Sequence, residues 1–355
     1  MKQDKMKAYV LHAPNDIRCE EVDVPTPSVG EVLIKVMAVG ICGSDIPRIY
    51  QTGAHKHPLI PGHEFSGIVQ ELGDNTDKKW LGKRVGVFPL IPCGKCIPCR
   101  NKQYEMCRNY SYLGSRRNGG YAEYAVVPAE NLIELPDTVS YEEAAMLEPM
   151  SVAVHAMRRV SVKASDTVVI CGAGTIGTLL LMLLRDAGVK NILVIGNKES
   201  QKNTVMNLGL LEKSYCDSRI EDINTWVMGH TNGNGADVFF ECVGKNETVC
   251  QAVNLTAPAG KICLVGNPYS DMALEKNVYW KILRNQITLT GTWNSSFTNA
   301  QDDDWHYVLQ RLEQKAIMPN QLISHRFSID EIEKGFHIMR DKSEDYMKIM
   351  MVISG

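Results

Sequence analysis

Four cysteines with short, regular spacing could bind a metal ion. They follow the pattern C-x2-C-x2-C-x7-C and are Cys93, Cys96, Cys99 and Cys107. Short C-x2-C steps let thiolates converge on one zinc ion, and four thiolates leave no position open for a substrate. The pattern therefore predicts a structural zinc that holds a loop with almost no apolar core of its own. The alternative is four unrelated free cysteines.

A second set of metal-binding residue types lies between residues 42 and 148. Cys42 stands in Gly-Ile-Cys-Gly-Ser-Asp, His63 precedes Glu64 in Gly-His-Glu, and Glu148 precedes a proline. A cysteine, a histidine and a carboxylate give three ligands and leave a position for substrate oxygen, as in catalytic zinc sites. Ser44 could take the proton of an alcohol, or its hydroxyl could simply belong to a turn. Each residue alone is more often a core or solvated side chain.

A glycine-rich turn lies between an apolar run at 168–171 and an apolar helical stretch at 178–187. The turn consists of Gly172, Gly174, Thr175, Ile176 and Gly177, with one alanine between the first two glycines. Its G-x-G-x-x-G pattern suits a tight turn, close approach to a pyrophosphate and close packing of helix on strand. The helix start adds unpaired N–H groups for phosphate. Strand, turn and helix in this order predict a dinucleotide site rather than a merely structural turn.

The residues after the next predicted strand bear on the choice of dinucleotide. An NAD site normally carries Asp or Glu there to accept hydrogen bonds from the adenosine ribose. The run 192–195 is instead followed by a glycine, Asn197 and Lys198. The missing carboxylate and the added lysine predict NADP in preference to NAD. The alternative is that Lys198 is solvated and Glu199 reaches the ribose.

The elements that position these residues differ between the two halves of the chain. A length of 355 residues suggests two domains. Short β-branched runs broken by Gly and Pro fill the first 150 or so residues, which predicts a β-rich region. Strand and helix patterns then alternate, which predicts a doubly wound parallel sheet and an α/β fold. We expect a catalytic domain at 1–151, a dinucleotide-binding domain at 152–291, and a return to the catalytic domain at 292–355.

Composition limits the partners and the location of the protein. The chain has 38 basic and 41 acidic residues, which does not suggest binding to nucleic acid. It has no signal-peptide pattern and no apolar run long enough for a membrane span. Its eleven cysteines are clustered at zinc spacing or scattered, which fits a reducing compartment. We therefore expect a cytoplasmic protein that acts on a small molecule.

Together, these motifs resemble the zinc-dependent medium-chain dehydrogenases over essentially the whole chain. The resemblance implies a GroES-like catalytic domain with an inserted Rossmann domain, and a homo-oligomer, either a dimer or a tetramer. It makes Cys42, His63 and Glu148 the catalytic zinc ligands, with Glu64 able to approach the metal or orient its surroundings. Glu148 followed by proline resembles the polyol branch of the family. Many members carry a histidine where this chain has Pro47, which leaves the route of proton exit open.

Three stretches resemble the polyol-phosphate dehydrogenases of that branch, namely 42–48, 53–55 and 114–120. Arg48, Arg116 and Arg117 lie in or beside them, and arginine suits phosphate oxygens. The resemblance thus implies a phosphorylated polyol whose hydride passes to a nicotinamide while zinc polarises its oxygen. If the arginines lie on the surface, an uncharged polyol or secondary alcohol is the alternative. A non-catalytic NADPH sensor is a further alternative, against which the open zinc site argues.

Overall fold

The computed structural model describes residues 4–268 and 270–353. The chain forms two compact units. Unit 1 comprises Met1–Glu148 and Ser296–Gly355, and unit 2 comprises Pro149–Ser295. The assignment of residues 1–151 and 292–355 to a catalytic domain, and of residues 152–291 to a dinucleotide-binding domain, stays a prediction.

Unit 1 is rich in β-structure. The strands of unit 1 are β1 (Lys5–Ala13), β2 (Asp16–Asp23), β3 (Glu31–Gly40), β4 (Glu64–Leu72), β5 (Arg84–Val87), β6 (Leu90–Ile91), β7 (Ser111–Tyr112), β8 (Tyr124–Pro128), β9 (Leu132–Glu134), β16 (Ile323–Phe327) and β17 (Lys348–Val352). A seven-stranded sheet has the order β16-β17-β3-β4-β5-β9, with β8 also paired to β3. Two small sheets pair β1 with β2 and β6 with β7.

The helices of unit 1 are short, apart from two near the C-terminus. They are α1 (Asp45–Pro47), continued by a π-helical turn at Arg48–Thr52, α2 (Ile97–Arg100), α3 (Tyr141–Ala145), the start of α4 (Leu147–Arg159), α10 (Asp304–Glu313) and α11 (Ile332–Asp341). Single 3-10 turns occur at Lys78–Trp80, Tyr104–Met106, Ala129–Asn131 and Pro319–Leu322. A core of buried side chains from β1, β3, β4, β8, β17 and α11 holds this unit together.

Unit 2 contains a six-stranded sheet whose strands all run parallel. The strands are β10 (Thr167–Cys171), β11 (Asn191–Gly196), β12 (Tyr215–Asp217), β13 (Ala236–Glu241), β14 (Thr256–Leu264) and β15 (Thr288–Gly291), with helices α5 (Thr175–Asp186), α6 (Glu199–Asn207), α7 (Ile223–His230), α8 (Asn246–Leu255) and α9 (Lys276–Arg284) and a 3-10 turn at Glu212–Ser214. Their order in the sheet, β12-β11-β10-β13-β14-β15, is that of a doubly wound Rossmann sheet. The predicted α/β fold with a β-rich first part is therefore confirmed.

Large apolar side chains are exposed in one region of unit 2. Tyr279, Trp280 and Leu283 of α9, Leu289 of β15 and Trp293 beyond it are each at least two-fifths exposed. Exposed apolar groups are common where proteins associate, and β15 is the last strand of its sheet. The homo-oligomer expected from the sequence stays a prediction. Within the described ranges, no helix is long and apolar enough to span a bilayer.

Candidate functional site

The four predicted zinc-binding cysteines converge around α2. Their sulfur atoms all lie within 4.8 Å of one another. Cys96 Sγ is 3.4 Å from Cys99 Sγ and 3.9 Å from Cys107 Sγ, and Cys93 Sγ is 4.0 Å from Cys99 Sγ. Zn–S bonds of about 2.3 Å in a tetrahedron place sulfur atoms about 3.8 Å apart. The cluster therefore fits one closed zinc site, and the cysteines form no disulfide.

Backbone amides support the charge that a metal-bound thiolate would carry. The N–H groups of Arg108 and Cys99 lower the pKa of Cys96 to about 6. Burial instead raises the pKa of Cys99 to about 12. Amide donors stabilise a thiolate, so part of the lobe is prepared for a cation.

Replacing Cys96 by Ser should remove one zinc per chain and lower the melting temperature, because a structural zinc contributes folding free energy. Metal analysis and thermal unfolding measure both effects. Cys19→Ser is the control, since Cys19 is an exposed cysteine outside the cluster. A loss of zinc with unchanged unfolding would contradict the structural role.

A second group of ligand types forms where β3 ends and β4 begins. The ligand atoms of Cys42, His63 and Glu64 all lie within 4.8 Å of one another. The antiparallel register pairs Gly40, the last residue of β3, with Glu64, the first of β4. That pairing brings the residue two beyond β3 next to the residue just before β4. The group offers a thiolate, an imidazole and a carboxylate to one ion, a donor set that suits zinc.

A buried carboxylate lies behind the histidine of this group. Asp45 Oδ1 is 3.4 Å from His63 Nδ1, and among the described residues that nitrogen is buried without a hydrogen bond. Asp45 also accepts from Cys42 N (3.1 Å), Arg48 Nη1 (2.5 Å) and Tyr121 Oη (2.8 Å). Because Nδ1 faces Asp45, Nε2 is the nitrogen left for a metal.

Charges in the pocket favour an ionised Asp45 beside His63. Burial alone would raise the pKa of the Asp45 carboxyl, but His63 and Arg48 hold that pKa below its ordinary value. Burial would lower the pKa of His63, whereas Asp45 and Cys42 raise it well above its ordinary value. The acidic groups of the pocket thus stabilise positive charge at the imidazole, whether it comes from a proton or from a metal ion that replaces the proton.

Glu64 takes part in a buried ion pair. Its Oε2 accepts a hydrogen bond from Lys348 Nζ, which also donates to the carbonyl of Ile41 at 3.1 Å. Both charged side chains are 2% exposed. A Cβ at Gly40 would collide with the Glu64 carboxylate and the Lys348 side chain. Glycine at position 40 is therefore needed to leave room for this pair.

Glu148 lies near the mixed group but is not one of its three members. Its Oε1 accepts from Tyr112 Oη at 3.3 Å, and the Tyr112 ring centroid is 5.8 Å from that of His63. Burial is the main cause that raises the pKa of Glu148 to about 7; His63 opposes this shift and Glu64 adds to it. The structure brings Glu64 closer to Cys42 and His63 than the sequence suggested. The assignment of Glu148 as a zinc ligand stays a prediction.

The remaining catalytic candidate, Ser44, lies against the thiol. Its Oγ donates to Cys42 Sγ at 3.3 Å, just before α1. A hydroxyl in this position can stabilise the thiolate, and its oxygen lone pairs stay available to accept a proton. The role of Ser44 in proton transfer stays a prediction.

The three predicted substrate arginines have different surroundings. Arg48 pairs with Asp45, and Arg117 pairs with Glu31. Arg116 instead lies over the ring of Tyr110, with its guanidinium carbon 4.7 Å from the ring centroid. That ring is 6.1 Å from Tyr112, which in turn contacts His63. Arg116 is therefore the arginine linked to the mixed group through aromatic side chains.

The glycine turn of unit 2 has the local geometry that a nucleotide requires. Gly172 has φ +104°, in the region that favours glycine. A Cβ at Gly177 would collide with the carbonyl of Gly172, whereas one at Gly174 would meet nothing within 4 Å. Gly174 is exposed at the start of α5, with Thr175 and Ile176 half-buried behind it. The open space at Gly174 and the helix N-terminus fit a pyrophosphate.

Asn197 and Lys198 connect β11 to α6. Asn197 is exposed, and its backbone N–H donates to Gln201 Oε1 at 3.3 Å. Lys198 is half-buried, and its carbonyl accepts from Tyr215 Oη at 3.3 Å. A side chain at Gly196 would collide with that tyrosine. A carboxylate-bearing side chain at position 196 would therefore require the Tyr215 ring to shift.

Several residues of the site were missed by the sequence analysis. They are Asp45, Tyr112, Tyr121 and Lys348. Asp45 directly follows Ser44. A metal-bound histidine usually has a carboxylate partner, and this rule could have identified Asp45. The other three come from distant parts of the chain and carry no local signal.

Family models match both units. The model described as the alcohol dehydrogenase GroES-like domain matches residues 28–137, and the model described as zinc-binding dehydrogenase matches residues 175–314. These two ranges contain the cysteine lobe, the mixed group at His63 and the last three residues of the glycine turn, Thr175, Ile176 and Gly177.

Individual relatives cover almost the whole chain. Galactitol 1-phosphate 5-dehydrogenase of Escherichia coli K12 is 30% identical, over 98% of this chain and 100% of its own. L-idonate 5-dehydrogenase of Vitis vinifera is 34% identical, over 94% and 91%. A provisionally assigned zinc-binding dehydrogenase from Sinorhizobium meliloti 1021, solved with bound NADP, has a TM-score of 0.89 and 28% identity, over 99% and 100%.

Proposed function

The chain belongs to the zinc-dependent medium-chain dehydrogenases, in their polyol branch, and we propose that it transfers a hydride between a phosphorylated polyol and NADP. The observation that carries the proposal is the grouping of Cys42, His63 and Glu64, with a buried carboxylate behind the histidine. A substrate resembling galactitol 1-phosphate is the specific expectation. A cytoplasmic location is part of the same proposal.

The residues of unit 1 would hold the catalytic zinc and orient its ligands. Cys42 and His63 supply a thiolate and an imidazole, and Glu64 or Glu148 supplies a carboxylate. Asp45 fixes the imidazole by facing Nδ1. A zinc ion held there would supply Lewis-acid polarisation of the substrate oxygen, which favours release of a hydride to the nicotinamide. Ser44 Oγ would accept the alcohol proton and pass its own hydroxyl proton, which points to Cys42 Sγ in the absence of substrate, on to solvent.

A second zinc would be structural and would be held by the four cysteines of the lobe. The fit of the sulfur spacing to a tetrahedron supports this assignment. No ligand position is left for substrate when four thiolates bind one ion, so this site takes no part in the reaction.

The preference for NADP is supported by charge. Lys198 follows β11, and the site has no carboxylate at Gly196 that would repel a 2′-phosphate. Gly172, Gly174 and Gly177 would bind the pyrophosphate, which both cofactors share.

The surroundings of Arg116 support a phosphorylated substrate. Its guanidinium carbon lies over the Tyr110 ring, 4.7 Å from the centroid, and an arginine held by such a contact can still offer N–H groups to an anion. His55 lies nearby, since its N–H donates to the Ser115 carbonyl at 3.4 Å. Burial is the largest cause that lowers the pKa of the His55 imidazole, and the positive charges of Arg116 and Arg48 lower it further. The positive charges of Arg116 and Arg48 are therefore close enough to act on the His55 imidazole.

Arg116→Ala should reduce kcat/KM for a phosphorylated polyol by about tenfold or more, because one charge-assisted hydrogen bond contributes about 1.5–3 kcal/mol. The unphosphorylated polyol should be affected little. Arg117→Ala is the matched control, since that arginine is already paired with Glu31. Equal losses on both substrates would indicate damage to the loop, and no loss on either would contradict phosphate binding by Arg116.

A dehydrogenase of an uncharged polyol is the second candidate. It is favoured by the pairing of Arg48 and Arg117 with carboxylates, which leaves one of the three arginines for a phosphate. Two observations argue against a non-catalytic NADPH sensor. The chain belongs to a family of enzymes, and it has the mixed ligand group.

A substrate panel tests the proposed function directly. Polyols and polyol phosphates are assayed with NAD and with NADP, with and without a zinc chelator. We expect turnover that depends on zinc and is fastest with a phosphorylated polyol and NADP. Faster turnover of unphosphorylated polyols would favour the second candidate.

A further inference from the structure

The segment that follows β12 lies beside the end of β11. The parallel register pairs Gly196 with Asp217, and the N–H of Ser218 donates to the Gly196 carbonyl at 2.9 Å. In a doubly wound sheet, ligands bind beyond the carboxyl ends of the strands. The residues after β12 are therefore next to the place where the adenosine ribose is expected.

Arg219 is held in one orientation at this edge. Its Nε donates to Asp217 Oδ1 at 2.8 Å, its Nη2 donates to Oδ2, and its backbone N–H donates to Oδ1 at 3.0 Å. This two-point contact between guanidinium and carboxylate fixes the plane of the fork. The Asp217 side chain is 11% exposed and the Arg219 side chain is 51% exposed. The guanidinium is thus held by Asp217 through Nε and Nη2, while about half of the Arg219 side chain stays exposed.

The remaining N–H groups of this fork are suited to an anion. A guanidinium has five N–H donors, and within the described part of the chain the contacts of Arg219 Nε and Nη2 go to Asp217 alone. Among the described residues, Nη1 makes no hydrogen bond, so its two N–H groups are available to a ligand. Asp217 is itself occupied by Arg219, so it is poorly placed to replace the carboxylate missing after β11. Arg219 and Lys198 are positive groups at this edge, and the charge of Lys202, which pairs with Glu212, also acts on Asp217.

We propose that Arg219 binds the 2′-phosphate of NADP and that Asp217 is the positioning residue that holds its guanidinium. This inference rests on the proposed use of NADP and adds a specificity-determining residue from a second strand. The energetic advantage is preorganisation, because a fork already fixed by Asp217 loses little freedom when it meets a phosphate.

Binding measurements on the purified, zinc-loaded protein test the proposal. Dissociation constants for NADPH and NADH are measured by fluorescence, and those for 2′,5′-ADP and 5′-AMP by calorimetry. Arg219→Ala should raise the Kd of NADPH and of 2′,5′-ADP by about tenfold or more, and change that of NADH and 5′-AMP by less than about twofold. Asp217→Asn should cause a smaller loss that is also confined to the phosphorylated ligands.

Arg284→Ala is the matched control, because it removes an exposed arginine of the same unit at the end of α9. It should leave all four constants unchanged, which separates local binding from net charge. Equal weakening of NADPH and NADH in Arg219→Ala would overturn the proposal, as would no weakening of either. If the unmodified protein prefers NADH but Arg219→Ala weakens only NADPH, the role of Arg219 stands and the NADP preference fails. If the unmodified protein prefers NADPH and Arg219→Ala leaves the ratio of the NADPH and NADH dissociation constants unchanged, the NADP preference stands and the role of Arg219 fails.

Discussion

His63→Ala should abolish turnover, by a factor on the order of a thousand or more, while NADPH still binds with nearly unchanged affinity. Removing a metal ligand removes several kcal/mol of transition-state stabilisation. The change also leaves the buried Asp45 carboxylate without its histidine partner. The glycine turn that would bind the cofactor belongs to unit 2, whereas His63 belongs to unit 1.

Three measurements on this variant separate chemistry from folding. They are steady-state turnover, zinc content per chain and the Kd of NADPH. His12→Ala is the control, because His12 pairs with Glu20 at 2.8 Å outside the metal group. We expect His63→Ala to lose zinc from the mixed group and keep the cysteine-bound zinc. Turnover close to that of the unmodified protein would contradict a catalytic zinc at His63.

Much of the fold could be predicted because its signals are local. The runs 168–171 and 192–195 both lie within strands that the structure shows. The stretch 178–187 overlaps α5 closely. These segments carry β-branched or helical patterns over four or more residues. By contrast, β12 has three residues, too few for a pattern, and it was missed together with the arginine that follows it.

The metal groups divide in the same way. The cysteine lobe could be predicted because its ligands lie within a few residues of one another, so spacing alone limits their geometry. The mixed group depends on the pairing of β3 with β4, which brings Cys42 to His63 and Glu64. Sequence motifs identified those residues, but the relative closeness of Glu64 and Glu148 depends on packing that no motif encodes.

Charge pairing across the chain was the least predictable feature. Arg117 and Glu31 are 86 positions apart, and Lys348 and Glu64 are 284 apart. A lone lysine or arginine in a sequence is most often a solvated residue. Only the fold shows that Arg117 has a carboxylate partner and that Lys348 is buried, so the phosphate hypothesis now depends mainly on Arg116.

Lys348→Met should strongly destabilise unit 1, because it leaves the Glu64 carboxylate buried without its partner. Breaking a buried ion pair by removing one member costs about 3–5 kcal/mol, and both side chains here are 2% exposed. Burial would lower the pKa of Lys348, but Glu64 and Cys42 raise it above its ordinary value. The ammonium is therefore charged in the folded protein, and its loss leaves acidic groups facing one another.

A double-mutant cycle checks this pair by thermal and chemical unfolding at fixed zinc concentration. Lys348→Met combined with Glu64→Gln should recover part of the lost stability, because the buried negative charge is then gone as well. Lys7→Met is the matched control. Lys7 pairs with Asp330 at 2.6 Å and both side chains are well exposed, so the loss of this pair should change stability far less than the loss of Lys348. If Lys348→Met is as stable as Lys7→Met, Glu64 must find another partner. If the variant with both Lys348→Met and Glu64→Gln is no more stable than Lys348→Met alone, the two charges are not coupled.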